Sequence, residues 1–224
     1  MIGSVFDIFA PRKGKPLVES DLVYLRIPAL SDYQDWANLR RASQKFLTPW
    51  EPTWHADDLT RRGYRQRLRR YTFDLRMGLA QPLFLFRRSD DQLLGGLTIG
   101  HIHRGAAHSC MIGYWMGEAF AGRGYMSAAL SASIPHMFGS LGLHRIEAAC
   151  IPGNDRSIRL LKSHGFQEEG YMREYLKING KWEDHILFAR VSGDQPGTKF
   201  RTREQAGETA DIAFARPTKK KQNA

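Results

Sequence analysis

Two glycines between an apolar strand and a helix constrain this 224-residue chain more than any other feature. The strand ends with Tyr114, Trp115 and Met116, and Gly122 and Gly124 lead from it into an apolar helical stretch. Glycine lets a backbone approach a ligand closely, and the N–H groups of a first helical turn have no partner within the helix. The helix dipole adds partial positive charge at the same place. The stretch therefore predicts a main-chain cradle for an anion such as a phosphate group.

A second strand-to-helix block follows the next predicted strand. Asn154 opens its helix, Ser157 lies one turn further on, and Gly165 with Phe166 closes it. An Asn in this position satisfies a helical N–H group as an N-cap, and that role is compatible with contact to a ligand. The order of strand, glycine loop, helix, strand, Asn-x-x-Ser and Gly-Phe resembles the GNAT family of acetyl-CoA-dependent N-acetyltransferases.

The resemblance covers roughly residues 22–191 and is closest to the RimJ/RimL-type branch, the ribosomal-protein-alanine N-acetyltransferases. It implies transfer of an acetyl group from acetyl-CoA to the N-terminal α-amine of a ribosomal protein that begins with Ala or Ser, by direct attack of the amine on the thioester. The segments that carry the resemblance are Phe46–Pro52, Arg104–Gly105, Ile112–Tyr114, Leu143–Ile146, Glu169–Tyr171 and Asn179–His185.

The same resemblance implies which residues bind the cofactor. Backbone N–H groups after Gly122 would hold the pyrophosphate, and backbone at Trp115 and Met116 would bind the pantetheine arm and polarise the acetyl carbonyl. Ala121 and Met126 depart from the superfamily pattern, in which a Gln or Arg and a small residue are usual, but main-chain donors are unaffected. The predicted cofactor-binding residues are Trp115, Met116, Gly122, Arg123, Gly124, Tyr125, Met126, Ser127, Asn154 and Ser157.

Catalysis needs an acid for the leaving thiolate and a base for the ammonium proton. The resemblance places the Ser157 hydroxyl where it would protonate the thiolate. Glu147 is one candidate base, because burying a carboxylate in an apolar strand is unfavourable unless it has a partner or a catalytic function. The alternative is an ion pair with Arg145 or another strand residue. Glu174 is another candidate, with a solvated edge charge as its alternative. A water relay would also serve an α-amine of pKa about 7.7–8.0, whereas a lysine near 10.4 is a harder substrate.

Four residues are predicted near the acceptor groove: Trp50, Glu51, Arg104 and Tyr171. Glu51 lies in a Trp-Glu-Pro segment and is a candidate partner, or a third candidate base, for the substrate ammonium. No metal is predicted. His101 and His103 share one face of a strand and His108 is nearby, but no acidic or cysteine partner has suitable spacing, and the family that the chain resembles uses no metal.

A formal net charge of +10 indicates a polyanionic environment. Contact with ribosomal RNA through the second helix and the basic C-terminal segment is one interpretation, and a solvated helix face is the other. Two alternatives to the ribosomal acceptor stay open: a small amine such as an aminoglycoside, polyamine or amino acid, and an inactive GNAT scaffold that binds nucleic acid. The arginines of the second helix are Arg61, Arg62, Arg65, Arg67, Arg69, Arg70 and Arg76.

The chain is predicted to contain an N-terminal arm over residues 1–20, a GNAT domain over 21–191 and a basic, disordered tail over 192–224. The fold class is α/β (α+β), with a single mixed, mostly antiparallel sheet of about seven strands flanked by helices. Cys110 and Cys150 lie in apolar runs, which predicts two buried, reduced thiols and a cytoplasmic location. No membrane span or targeting segment is predicted.

Overall fold

A computed structural model describes residues 14–194 and shows one eight-stranded sheet in the order β1-β2-β3-β4-β5-β6-β8-β7. Among the strands of residues 14–194, only β5 and β6 pair in parallel. The predicted mixed, mostly antiparallel sheet is confirmed, with one strand more than the seven expected. The strands are β1 (Val18–Glu19), β2 (Val23–Arg26), β3 (Gln81–Arg87), β4 (Leu93–His103), β5 (Ser109–Met116), β6 (Arg145–Cys150), β7 (Gln167–Ile178) and β8 (Lys181–Val191).

The additional strand is β1, which lies inside the predicted N-terminal arm and pairs with β2. It is only two residues long, and its single buried side chain, Val18, gives too weak a periodic signal for recognition from sequence. Most of the predicted arm and almost all of the predicted tail lie outside the described residues.

Five α-helices flank the sheet: α1 (Tyr33–Ala42), α2 (Gln44–Leu47), α3 (Arg61–Arg76), α4 (Tyr125–Pro135) and α5 (Asp155–Ser163). Ser43 separates α1 from α2, and its buried hydroxyl accepts a hydrogen bond from the Glu118 N–H at 3.0 Å. Thr60 caps α3, and its hydroxyl accepts from the Gly63 N–H.

Two hydrophobic cores lie on opposite faces of the sheet because side chains alternate along each strand. In β3, Leu83 and Leu85 join the larger core, which α4 covers. Phe84 and Phe86 point the other way and pack with Trp36 of α1 and Tyr64 of α3. Burying each large side chain stabilises the fold by roughly 1.5–3 kcal/mol. The two faces are called the α4–α5 face and the α1–α3 face below.

The parallel strands β5 and β6 pair over only three residues each, from Ser109 opposite Arg145 to Met111 opposite Glu147. Beyond that point the two strands continue to Met116 and Cys150 without pairing, so a wedge-shaped gap opens inside the sheet. The gap opens toward the end of β5 from which the glycine loop departs. It connects the two faces of the sheet.

Pro135 marks the end of α4, and a π-helical turn over His136–Ser140 follows it. A proline in a helix has no N–H for the preceding turn and displaces the chain. The change of helix type after Pro135 therefore accommodates the proline. None of the helices in residues 14–194 is sufficiently long and apolar to span a membrane.

Candidate active site at the gap between two parallel strands

The glycine loop forms the predicted main-chain cradle. Gly122 and Gly124 have φ values of 74° and 81°, and Gly124 is the N-cap of α4. Other residues adopt this left-handed conformation at a cost of about 1–2 kcal/mol. Within the described part of the chain, the N–H groups of Tyr125, Met126 and Ser127 have no hydrogen-bond partner. A Cβ atom added at either glycine would meet nothing within 4 Å, so the cradle is open to a ligand.

His164 contacts the first turn of α4 on the side away from the cradle. This residue is only 7% exposed and is the C-cap of α5. Its Nε2 atom lies 3.0 Å from the Ser127 carbonyl oxygen and 3.1 Å from the Ser131 hydroxyl. Its Nδ1 atom lies 2.8 Å from the Leu160 carbonyl oxygen. His164 therefore joins the cradle helix to α5, the helix that carries Ser157.

The direction of the β5 backbone decides which residues face the gap. Backbone groups point to alternate sides along a strand. The Gly117 N–H donates to the Leu94 carbonyl of β4 at 2.8 Å, and Trp115, two residues earlier and also paired with β4, directs its backbone the same way. Met116 and Tyr114 direct theirs into the gap. The predicted backbone contact to pantetheine thus fits Met116, whereas the sheet already uses the Trp115 backbone.

Four polar side chains meet on the α4–α5 side of the gap: Asn154, Ser157, Tyr114 and Cys150. Asn154 caps α5 and its Oδ1 accepts from the Ser157 N–H at 3.2 Å, as predicted for an N-cap. The Ser157 side chain interacts with the Tyr114 hydroxyl and the Cys150 thiol. Burial raises the pKa of Tyr114 to about 12 and that of Cys150 to about 11. Ser157 therefore lies between two groups that keep their protons at neutral pH.

The α1–α3 side of the gap is uncovered. Gly113 is exposed although β5 is a central strand, and a Cβ atom added to it would meet nothing within 4 Å. Beside it lies a cavity of about 240 Å³. Gly113, Met111 and Glu147 lie on the same face by register, so Gly113 lies on the same side of the sheet as the cavity. It is lined by His101, His103, Met111, Glu147 and Tyr175.

The two predicted candidate bases of the sheet have different surroundings. Glu147 Oε1 accepts from Arg145 Nε at 2.7 Å, which is the ion pair named as its alternative. Its other carboxylate oxygen has no partner among the described residues, and Glu147 is one of the residues that line the cavity. Glu174 is exposed in a bulge of β7 with φ of 46°, and its N–H donates to Asp184 Oδ1. Glu174 does not line the cavity.

The Glu51 carboxylate is already occupied. Arg40 donates to both of its oxygens at 2.7 and 2.6 Å, and Trp54 Nε1 donates to Oε2 at 2.8 Å. The Arg40 guanidinium is stacked between the rings of Trp54 and Trp115, at 4.3 and 4.9 Å from their centroids. A neutralised, triply bonded carboxylate attracts an ammonium group weakly. The role of Glu51 is therefore structural, because Arg40 and Glu51 together form a wall on the α1–α3 face.

The four predicted acceptor residues do not form one cluster. Trp50 is 39% exposed and adjoins Glu51, whose carbonyl accepts from Asn179 at the tip of the β7–β8 hairpin. Arg104 lies at the opposite end of β5, where it donates to the Leu141 carbonyl. Tyr171 is exposed on the edge strand β7 and donates to Asp184 Oδ2 at 2.7 Å. Its partner in β8, Ile186, packs on the α4–α5 face, so Tyr171 lies on that face as well.

Several site residues were not predicted from the sequence. Strand alternation could have identified Tyr114 as a site residue, because it places Tyr114 on the same face as Cys110 and hence beside the second helix block. No sequence pattern identifies Arg40, His164 or Tyr175, because their roles depend on contacts between elements that are distant in the chain. Cys110 and Cys150 are both free and buried, as predicted. Among residues 14–194, no group of three or more His, Cys, Asp or Glu side chains has metal-binding geometry.

Comparisons with known proteins identify the family of the chain. Residues 23–167 match the family model described as an acetyltransferase (GNAT) domain. The chain is 33% identical over 189 residues to the ribosomal protein uS5-alanine N-acetyltransferase of Escherichia coli (strain K12), covering 84% of this chain and 97% of that protein. A probable N-acetyltransferase, YjcK, of Bacillus subtilis (strain 168) is 33% identical over 178 residues, covering 80% of this chain and 98% of that one.

Solved structures give the same result. Mycobacterium smegmatis RimJ, in complex with a CoA disulfide, superimposes with a TM-score of 0.73 at 34% identity, covering 80% of this chain and 86% of that one. The ribosomal-protein-S5-alanine acetyltransferase of Vibrio fischeri also has a TM-score of 0.73, at 32% identity and with 78% and 96% coverage. The open glycine cradle and the strand gap fit acetyl-CoA, the cosubstrate of this family. The chain therefore belongs to the GNAT family of acetyltransferases, and it is an acetyl-CoA-dependent N-acetyltransferase.

Proposed function

We propose that this enzyme acetylates the N-terminal α-amine of a ribosomal protein that begins with Ala or Ser. The observation that carries the proposal is the gap between β5 and β6, which has a phosphate cradle and Ser157 on one face and an open, Gly113-floored groove on the other. The similarity to a uS5-alanine N-acetyltransferase over 84% of the chain supports the choice of acceptor.

The cofactor roles proposed here follow from which groups lack partners. The N–H groups after Gly122 and Gly124 would bind the pyrophosphate, with the exposed Arg123 side chain beside them. Met116 would bind the pantetheine arm through its backbone, and the Asn154 side-chain amide remains available after its carbonyl oxygen caps α5. Trp115 contributes through its indole, which fixes Arg40, rather than through its backbone.

The proposed chemistry is a direct transfer. The amine nitrogen attacks the acetyl carbonyl carbon, the C–N bond forms, the C–S bond breaks, and the sulfur leaves toward Ser157. The Ser157 hydroxyl gives the departing thiolate its proton, and the neighbouring Tyr114 hydroxyl would replace that proton and be reprotonated by solvent. The open half of the Glu147 carboxylate, reached directly or through water, is the proposed acceptor of the ammonium proton. Glu174 is the second choice, because it does not line the cavity.

A small cationic amine is the weaker proposal for the acceptor. Such substrates need an acidic pocket, and of the three carboxylates predicted for that purpose Glu51 is neutralised by Arg40 and Glu147 is half-neutralised by Arg145. An α-amine with a pKa of about 7.7–8.0 is partly neutral already and requires no such pocket. We further propose that the enzyme works close to ribosomal RNA, to which the basic C-terminal segment would also be attracted.

The test is intact-mass analysis of purified small-subunit ribosomal proteins after incubation with the enzyme and acetyl-CoA, followed by fragmentation of any product. The expected result is one acetyl group on the N-terminus of one protein, formed about 10²-fold more slowly with the Ser157→Ala variant. Acetylation of lysine side chains alone, or of a polyamine but of no protein, would reject the proposed acceptor. Tight CoA binding with no product from any amine would favour an inactive scaffold.

A further inference from the structure

The outward half of α3 carries an unusual set of side chains. With 3.6 residues per turn, Arg61, Arg65, Arg76, Arg69 and Arg62 fall within an arc of about 100°, and every one of them is exposed. These five residues are called the arginine face. Phe73 and Met77, which are 58% and 61% exposed, lie along one margin of it.

The charges of the arginine face destabilise α3. No acidic residue lies in the first turn, so Arg61 and Arg62 face the positive end of the helix dipole. Arg61, Arg65 and Arg69 repeat every four residues, which brings like charges together. Within residues 14–194 none of the five forms a salt bridge; Arg67, on the inner side of α3, pairs with Asp58 instead. A partner of opposite charge would relieve this repulsion.

We propose that the arginine face binds the phosphate backbone of RNA and that Phe73 stacks on an unpaired base. All five cations are arginines, whose planar fork binds phosphate oxygens in pairs and stacks on bases, whereas lysine does neither. An exposed aromatic ring beside such cations is typical of single-stranded nucleic-acid sites. A membrane surface is the poorer fit because Phe73 and Met77 alone, at one margin, bury little apolar area.

The position of α3 connects this surface to the acceptor groove. The chain leaves α3 through Leu79, whose carbonyl accepts from the Ile102 N–H at 3.0 Å. Ile102 lies between His101 and His103, which line the cavity beside Gly113. The C-terminal end of α3 is therefore joined by a main-chain hydrogen bond to the strand that carries two of the cavity-lining histidines. The identity of that RNA as ribosomal rests on the proposed function, but the RNA-binding surface does not.

The test is fluorescence anisotropy of the full chain with a labelled RNA hairpin that has a single-stranded loop, measured across a series of salt concentrations. The variant is Arg65→Gln with Arg69→Gln. Its control is Arg41→Gln with Arg88→Gln, which removes the same charge from exposed arginines elsewhere. The α3 variant is expected to bind about tenfold more weakly than the control, and its salt slope to fall by about 1.4, at roughly 0.7 per lost phosphate contact.

Phe73→Ala separates stacking from charge. It is expected to weaken binding to the looped hairpin about tenfold, since stacking contributes roughly 1–3 kcal/mol per base, and to leave the salt slope unchanged. Binding to a fully paired RNA duplex of the same length is expected to be unaffected by Phe73→Ala. Circular dichroism verifies that α3 remains folded in each variant.

Equal affinities and salt slopes for the α3 variant and its control would overturn the proposal. So would competition by polyglutamate as strong as that by RNA of equal charge, which would indicate an acidic protein partner. Acetylation of a free N-terminal peptide provides the separate readout and is expected to be the same for the α3 variant and the wild type. Absence of peptide acetylation in the wild type would reject the proposed function and leave the RNA surface standing.

Discussion

The two faces of the sheet meet at one gap but are built in different ways. On the α4–α5 face the chain presents main-chain N–H groups, and the helices that carry them are fixed by His164 and by a continuous apolar core. On the α1–α3 face the chain presents a bare floor at Gly113, a cavity with two histidines and a carboxylate, and a wall formed by Arg40 and Glu51.

The difference fits the roles proposed for the two faces, which are pyrophosphate binding on one and acceptor binding on the other. A pyrophosphate offers the same anionic oxygens to every member of the family, so main-chain donors at a helix N-terminus are sufficient. An acceptor varies between enzymes and has to enter and leave, so its groove is open and is defined by side chains and by the space that glycine leaves. Substitutions should accordingly separate cofactor binding from acceptor binding, as the predictions below specify.

Removing the Ser157 hydroxyl should give the largest effect. Ser157→Ala is expected to lower kcat about 10²-fold, because general acid catalysis contributes at least that much, while the KM for acetyl-CoA changes little. Steady-state kinetics with an N-terminal peptide measures both, and Ser163→Ala, an exposed serine in the same helix, serves as the control. An unchanged kcat for Ser157→Ala with a large loss for Tyr114→Phe would transfer the acid role to Tyr114.

Gly113→Val places a side chain on the open floor of the acceptor groove. It is expected to lower kcat/KM for the peptide about tenfold or more through misplacement of the amine, with CoA affinity unchanged. Valine is well suited to a strand, so thermal stability should be kept. Calorimetric titration with CoA completes the measurement. Equal losses of CoA and peptide affinity would show that the two faces are not separate.

Gly124→Val tests the opposite face. Its φ of 81° is unfavourable for a branched residue, and the new side chain would occupy the cradle. CoA is expected to bind about tenfold more weakly, since about 1.4 kcal/mol corresponds to that factor, and kcat at saturation should fall less. Gly139→Ala, at an exposed glycine without a positive φ, is the control. Unchanged CoA binding in Gly124→Val would contradict the main-chain cradle.

His164→Ala should have a smaller effect on the same face. Loss of its contacts to the Ser127 and Leu160 carbonyls is expected to raise the Kd for CoA several-fold, at roughly 1 kcal/mol for one hydrogen bond, without altering kcat at saturation. The matched control is His144→Ala, an exposed histidine. A purely structural role for His164 would lower the melting temperature and leave the Kd of the folded protein unchanged.

The smallest effect concerns the two thiols on the α4–α5 face. Burial, with the nearby Glu147 charge, raises the pKa of Cys110 to about 12, and burial raises that of Cys150 to about 11. The folded state holds these protons more tightly than the unfolded state, where a thiol titrates near 8.5. This contribution to stability is complete below about pH 8.5 and is lost as pH rises toward 11–12.

Two measurements check this. A thiol reagent at pH 8 should label neither cysteine in the native protein within minutes and both in denaturant, and the unfolding midpoint should decrease between pH 8 and 10. Rapid labelling of Cys150 without denaturant would mean that the α4–α5 face admits water.

The local geometry of the proposed cofactor side was largely predictable from the sequence, whereas that of the proposed acceptor side was not. The left-handed Gly122 and Gly124 and the Asn154 cap on the Ser157 N–H are local backbone features, and such features have a sequence pattern. Whether the Glu51 carboxylate is free depends on Arg40 of α1. The spacing of the two residues in the sequence does not predict that they are in contact. The direction of the Trp115 backbone likewise depends on the pairing of β5 with β4.

Hydrogen exchange read by mass spectrometry tests the central claim that the two substrates occupy opposite faces of one gap. Acetyl-CoA alone should slow exchange at residues 122–127, and addition of an N-terminal peptide should then slow exchange at residues 50–54 and at the hairpin tip, 178–181. Protection of the hairpin tip by acetyl-CoA alone, with residues 122–127 unchanged, would contradict the account.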